Sequence, residues 1–263
     1  GAITISSAKN INTEDLSADS DGGYGSYADG IAYRVNAPAD SATSVTRYSS
    51  SDSLTNGLGA GDEVLLINLQ GGTSDNADVG NYEFMRVKTA SLSTITFTTA
   101  ITKSFDGTTA SNQKVVVQRV PQYTNVTFSG SGSLTASSWD GLTTTPTGNA
   151  GYLTGIVAFR ATGTVSVASG TSITVSGKGY RAGAGGAAGA NGGINGESYD
   201  GSGATDAGRG GSTPGGGETK GGGRASDSAT SSPNNGATRS GGGGGGASGS
   251  GGDGNEGGGG GGG

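Results

Sequence analysis

The chain has 263 residues, a formal net charge of −6, only 14% charged residues and 58 glycines, and it lacks both cysteine and histidine. That composition excludes disulfides, thiolate chemistry, the serine–histidine–aspartate arrangement and the commonest zinc ligands. An acidic balance argues against a nucleic-acid partner, which needs a basic face, and no apolar run approaches the roughly 18 residues of a membrane span.

The first residue is Gly1 and the only methionine is Met85. A removed secretory leader accounts for such a start, with a fragment as the alternative, so the expected location is extracellular or at the cell surface. Ala2-Ile-Thr-Ile5 opens the chain as a short β-prone run. In an assembled filament, Ala2, Ile3, Thr4 and Ile5 are a candidate donor strand, completing a sheet in a neighbouring subunit. Asp19-Ser-Asp21 resembles the start of a calcium loop, but Gly30 stands where the loop needs its last carboxylate. A solvated turn explains it better.

Strands follow in short bursts. Asp62 to Leu69 comes after the turn signal Leu58-Gly-Ala-Gly61. Asp75 and Asp78 flank Asn76 in a polar loop, where nothing specifies a metal. Tyr82 to Val87 alternates, with Tyr82, Phe84 and Arg86 on one face and Glu83, Met85 and Val87 on the other. Ile95–Phe97 and Lys114–Gln118 are β-branched, and Pro121 closes a strand or marks an edge. The turn spacing fits a sandwich or a small barrel, and no window has helical period. Asn125-Val-Thr127 is a glycosylation sequon within an expected strand. Trp139 reads as packing at a junction rather than as an exposed ligand platform.

Between residues 155 and 180 the unit Val165-Ser-Val167 recurs eight residues later as Ile173-Thr-Val175, and Gly170 and Gly177 follow the two copies. Solenoid rungs and a small hairpin both fit; two copies fall short of the three that a solenoid needs. Gly177-Lys178-Gly179 lacks the surrounding residues of a phosphate loop.

Near Tyr180 the composition changes. About 36 of the 58 glycines lie beyond it, and Ile194 and Tyr199 are the only large apolar residues after Arg181. No ordinary core can form there, because burying a large apolar side chain contributes about 1.5–3 kcal/mol while ordering each residue costs about 1–2 kcal/mol. The segment is either a Gly/Ser linker or a bundle of extended helices of about three residues per turn, bonded to each other through backbone N–H and C=O groups. The second arrangement is polyglycine II packing. Gly183, Gly186, Gly189 and Gly192 recur at a spacing of three, and Gly244 sits within the run Gly241–Gly246, so these glycines are the candidates for close backbone packing.

The stretch Gly155 to Val167, then Ile173 to Arg181, running directly into glycine-rich sequence, resembles glycine-rich surface and fibre proteins of bacteria and their phages, including tail-fibre adhesins with polyglycine II packing. The resemblance covers about residues 150–263. It implies a structural or adhesive role, and in such adhesins the loops between glycine runs meet the host receptor.

The expected fold is mainly β: a β-sandwich or small barrel over 1–150, a β-solenoid-like or hairpin junction over 151–180, and a glycine-rich polyglycine II-type bundle over 181–263. The expected function is a structural subunit of an extracellular bacterial filament or surface fibre. A phage tail-fibre receptor-binding adhesin is the alternative, and an ice-binding protein ranks third. No catalytic residue, metal site or cofactor is expected, and the protein is not expected to be an enzyme. Expected partners are further copies of the chain and a cell-surface glycan or receptor, with no nucleic acid and no membrane span.

Overall fold

The computed structural model describes residues 1–16, 27–48, 57–72, 75–146, 149–181, 197 and 199. The expected polyglycine II bundle, with Gly183, Gly186, Gly189, Gly192 and Gly244, lies outside them. The described residues are nearly all β, with no α-helix and one 3₁₀ turn at Ala110–Asn112. None of their helices is long and apolar enough to cross a membrane. The chain divides into two units, Gly1–Leu69 with Ala77–Lys178, and Gln70–Asn76 with Gly179–Gly263.

The first unit contains a curled sheet. Its strands, in chain order, are β3 (Ala32–Val35), β4 (Ser44–Thr46), β5 (Glu63–Gln70), β6 (Tyr82–Ala90), β7 (Thr94–Phe97) and β8 (Lys114–Arg119). They lie side by side in the order β3-β8-β5-β6-β7-β4. The two edge strands meet again through a bridge between Val35 and Arg47 and bonds from Asn36 N to the Thr46 carbonyl and from Tyr48 N to the Arg34 carbonyl. The sheet therefore wraps around its own apolar face, as the small-barrel expectation has it. Val64, Leu66, Met85, Val87, Ile95, Phe97, Val115 and Val117 fill the inside. Alternation puts these residues on one face of their strands, as a period of two requires. In β6 the buried face is Met85 and Val87, while Tyr82 and Phe84 face solvent.

The other half of this unit is a parallel solenoid. β1 (Ile3–Ile5), β10 (Val126–Phe128) and β13 (Val165–Val167) form one parallel sheet, and β2 (Ala8–Asn10), β11 (Ser133–Thr135) and β14 (Ser172–Ile173) form a second. A third side pairs β9 (Gln122–Tyr123) with β12 (Arg160–Ala161). Three rungs result: residues 3–10, 122–135 and 160–173. The barrel strands are all spliced between the first rung and the second. Val126 pairs with Val165 and Ser133 with Ser172, a step of 39 residues in each case. Inward positions of the first two rungs, Ile3, Ile5, Ile11, Val126, Phe128 and Leu134, make the core.

Two sequence expectations change here. The candidate donor strand is used within its own chain: Ile3, Thr4 and Ile5 pair with Val126, Thr127 and Phe128, and the side chains of Ile3 and Ile5 are buried. Ile3–Ile5 is one side of the first rung, because apolar residues at positions 3 and 5 match the inward positions of the rung above. The unit Val165–Val167 and its echo Ile173–Val175 are two sides of one rung rather than two rungs or a hairpin, since each pairs with a different strand of the rung below. Strands on both sides of residue 150 thus share sheets.

Candidate functional site

Among the described residues the third rung is the last of the stack, and β13 and β14 are edge strands of their sheets, as β1 and β2 are at the other end. Val126 N donates to the Thr164 carbonyl, Ser172 N to the Gly132 carbonyl and Thr174 N to the Leu134 carbonyl. These bonds tie the third rung to the second through residues 164, 172 and 174. Strand alternation then turns the N–H and C=O groups of Val165, Val167 and Ile173 toward the open side. The side chains in register with the buried Val126, Phe128, Leu134 and Ala136 are Val165, Val167, Ile173 and Val175, and they are 41%, 50%, 42% and 44% exposed. The end is therefore an apolar row flanked by an unpaired backbone edge, the combination that templates further strand pairing.

A groove of about 460 Å³ adjoins this row, lined by Phe84, Val120, Phe159, Arg160, Ile173 and Val175 among others. Phe84, which lines it, is an exposed aromatic of β6 and packs edge to face with the exposed Tyr82 of the same strand at 6.1 Å. Each carries a cation over its ring: Lys103 Nζ lies 4.8 Å from the centre of Tyr82 and the Arg160 guanidinium 4.6 Å from that of Phe84.

Arg160 links the third rung to the barrel. Its Nε and Nη2 donate to Glu63 Oε2 and Oε1 at 2.6 and 2.8 Å, and Gln122 Nε2 of the second rung also donates to Glu63 Oε2, at 2.8 Å. The Arg160 hydrogen bonds hold the Glu63 carboxyl below the usual carboxylate range; partial burial opposes this, and the Gln122 bond adds to it. A depressed carboxylate stabilises the fold above its unfolded pKa, and the contribution disappears as pH falls through the folded value. Replacing Glu63 with Gln is therefore expected to lower stability at neutral pH by about 1 kcal/mol or less, as for a solvent-facing pair. The gap between the two proteins should close on acidification below about pH 4. Thermal unfolding of both proteins across about pH 2.5–7, which brackets the carboxylates, measures it. A gap that widens in acid would contradict the assignment.

The remaining sequence candidates have structural roles where they are described. Asp78 accepts from Ser104 Oγ at 2.7 Å and Gly107 N at 2.8 Å, which fastens the 104–107 loop. Asp75 N and O bond with Gly72 in a local bridge. Asp19 and Asp21 lie outside the described residues, among which no group of three or more potential metal-ligating side chains gathers. Asn125, the sequon asparagine, occupies a rung corner just before β10, and its Oδ1 accepts from Thr164 N at 2.8 Å. Trp139 is buried and its backbone N donates to the Lys178 carbonyl at 2.9 Å, in keeping with a packing role. In the second unit, Arg181 and Glu197 form a bidentate pair at 2.9 and 2.6 Å, and Glu197 Oε2 also accepts from Arg181 N.

Sequence reasoning missed the solenoid register. The signal is present: Val126-Thr-Phe128 followed by Ser133-Leu-Thr-Ala136 repeats as Val165-Ser-Val167 followed by Ser172-Ile-Thr-Val175. A search for self-similarity at a step of 39 would have found it.

No protein-family model matches the chain, and no curated protein matches it. Among solved structures it is similar to the tailspike protein gp49 from Pseudomonas phage LKA1, with 15% sequence identity and a TM-score of 0.27. The match covers 41% of this chain and 17% of that one, and so weak a likeness carries no argument about function.

Proposed function

We propose that the chain is a non-catalytic structural subunit of an extracellular fibre or filament that assembles from copies of itself. The observation that supports this best is the third rung: a parallel stack that leaves a row of apolar side chains and an unpaired backbone edge exposed. Stacked rungs suit a load-carrying element, because each rung bonds its neighbour through the main chain. A sequence without histidine or cysteine also lacks two of the common groups of acid–base and nucleophilic catalysis. An adhesive role is the second reading. It is favoured by the exposed Tyr82–Phe84 pair with Lys103 beside it, a surface that can stack on sugar rings and attract acidic groups.

Electron microscopy of the purified full chain tests the first reading, with elongated multi-copy particles expected. Compact single chains at every concentration would overturn it. For the adhesive reading, a glycan-binding assay with Tyr82→Ala and Phe84→Ala should lose binding in both variants. Equal binding by wild type and variants would remove it.

A further inference from the structure

We infer that the open face of the third rung is a two-fold joint, at which two copies of this chain meet end to end, β13 against β13. This rests on the reading of the chain as a self-assembling structural protein. Three observations select the second copy over other occupants.

First, the sequence beyond the third rung does not repeat its apolar pattern at the same step. A further step of 39 residues from Val165, Val167, Ile173 and Val175 leads to Ala204, Asp206, Ser212 and Pro214. An aspartate and a serine at inward positions would be buried without partners, and a proline removes a ladder donor. Second, head-to-tail stacking of one copy's third rung on another's first rung lacks its other half. The inward residues Ile3, Ile5 and Ile11 of the first rung are buried already, so that end offers no matching apolar row. Third, the third-rung face is self-complementary. A two-fold axis lays apolar residues on apolar residues, and two copies of one strand edge run antiparallel there. The outward N–H and C=O groups of Val165 and Val167 then bond their counterparts in the partner. Arg160, on the same rung, is neutralised by Glu63 in a salt bridge, so that guanidinium does not oppose its counterpart in the approach.

The test is sedimentation of the full chain over a concentration series, for the wild type, for Val165→Lys/Val167→Lys, and for Val165→Thr/Val167→Thr, which keeps β-branched side chains. Leu92→Asp, at another exposed apolar site, is the control. Trp139 fluorescence reports whether each variant keeps its fold, since the ring is buried beside the rungs. The expected result is association in the wild type and in Leu92→Asp to at least twice the 25.1 kDa chain mass. The lysine pair should raise the dissociation constant by about tenfold or more, and the threonine pair by less, with unchanged fluorescence. Association that persists unchanged in the lysine pair would overturn the joint and leave the self-assembly reading standing. A wild type that stays at the single-chain mass would overturn both. If that single chain also melts lower in the lysine pair, the face is covered within one molecule instead. Dimers that never extend further would uphold the joint and remove the filament.

Discussion

Replacing Gly132 with alanine is expected to destabilise the fold by about 3 kcal/mol, well above the cost at Gly170 in the next rung. Gly132 lies in the corner between β10 and β11. An added Cβ would collide with the carbonyl oxygen of Ile5, and would come within 2.8 Å of its carbonyl carbon and 3.0 Å of the Ser129 carbonyl oxygen. These are backbone atoms, so no side chain can swing away, and overpacking of that kind costs about 1–3 kcal/mol or more. The collision arises from corner length. Two residues, Ser6 and Ser7, join the strands of the first rung, whereas four join those of the second and third. The shorter corner cuts inside and leaves the Ile5 carbonyl under Gly132. In the third rung the register position of Gly132 is Thr171, which sits over a corner of equal length and tolerates its side chain. Gly170 has φ +83° and nothing within 4 Å of an added Cβ, so alanine there bears only the left-handed backbone cost of about 1–2 kcal/mol. Urea unfolding of the two variants measures the contrast. Equal losses would mean that the first and second rungs do not stack at this corner.

The β-class, the barrel strands and their alternation were legible because each depends on local pattern. The sequence runs Asp62–Leu69, Tyr82–Val87, Ile95–Phe97 and Lys114–Gln118 match β5, β6, β7 and β8 with ends that differ by three residues at most. Local pattern does not say which face of β6 turns inward. That depends on whether Met85 and Val87 or Tyr82 and Phe84 meet the rest of the sheet, and the aromatic face lost. The solenoid was hidden for a different reason. Its first rung is separated from its second by the whole barrel, so Ile3 finds Val126 across more than a hundred positions, and a short β-run at a chain start carries no mark of so distant a partner. The same separation makes Ile3–Ile5 read as a strand for export to a neighbour. The packing role of Trp139 was legible, because a lone large aromatic among polar residues is most often buried. The open third-rung face was not. Val165, Val167, Ile173 and Val175 have the same sequence pattern as their buried counterparts, and only the end of the stack distinguishes them.

That distinction gives the second large effect. Phe128 and Val167 occupy the same register position on adjacent rungs, yet Phe128 is 1% exposed and Val167 50%. Phe128 lies in the core with Ile5 and Leu134, so Phe128→Ala removes a large buried group and leaves a cavity, at an expected cost of about 3–5 kcal/mol. Val167→Ala removes two methyl-sized groups already half in water. Its expected cost in the isolated chain is within about 0.5 kcal/mol, because little apolar surface returns to solvent. Chemical unfolding should be measured at protein concentrations low enough that association adds nothing to apparent stability. Under those conditions the two substitutions should differ by about 3 kcal/mol or more, although the sequence presents them as equivalent members of one ladder. A loss below about 1 kcal/mol for Phe128→Ala would show that the rungs share no packed core. A loss above about 2 kcal/mol for Val167→Ala in the dilute chain would mean that the third rung is covered within a single molecule. With the same measurement repeated at high concentration, Val167→Ala should become costlier as copies meet at that face, while the Phe128→Ala penalty on the single chain stays as it was.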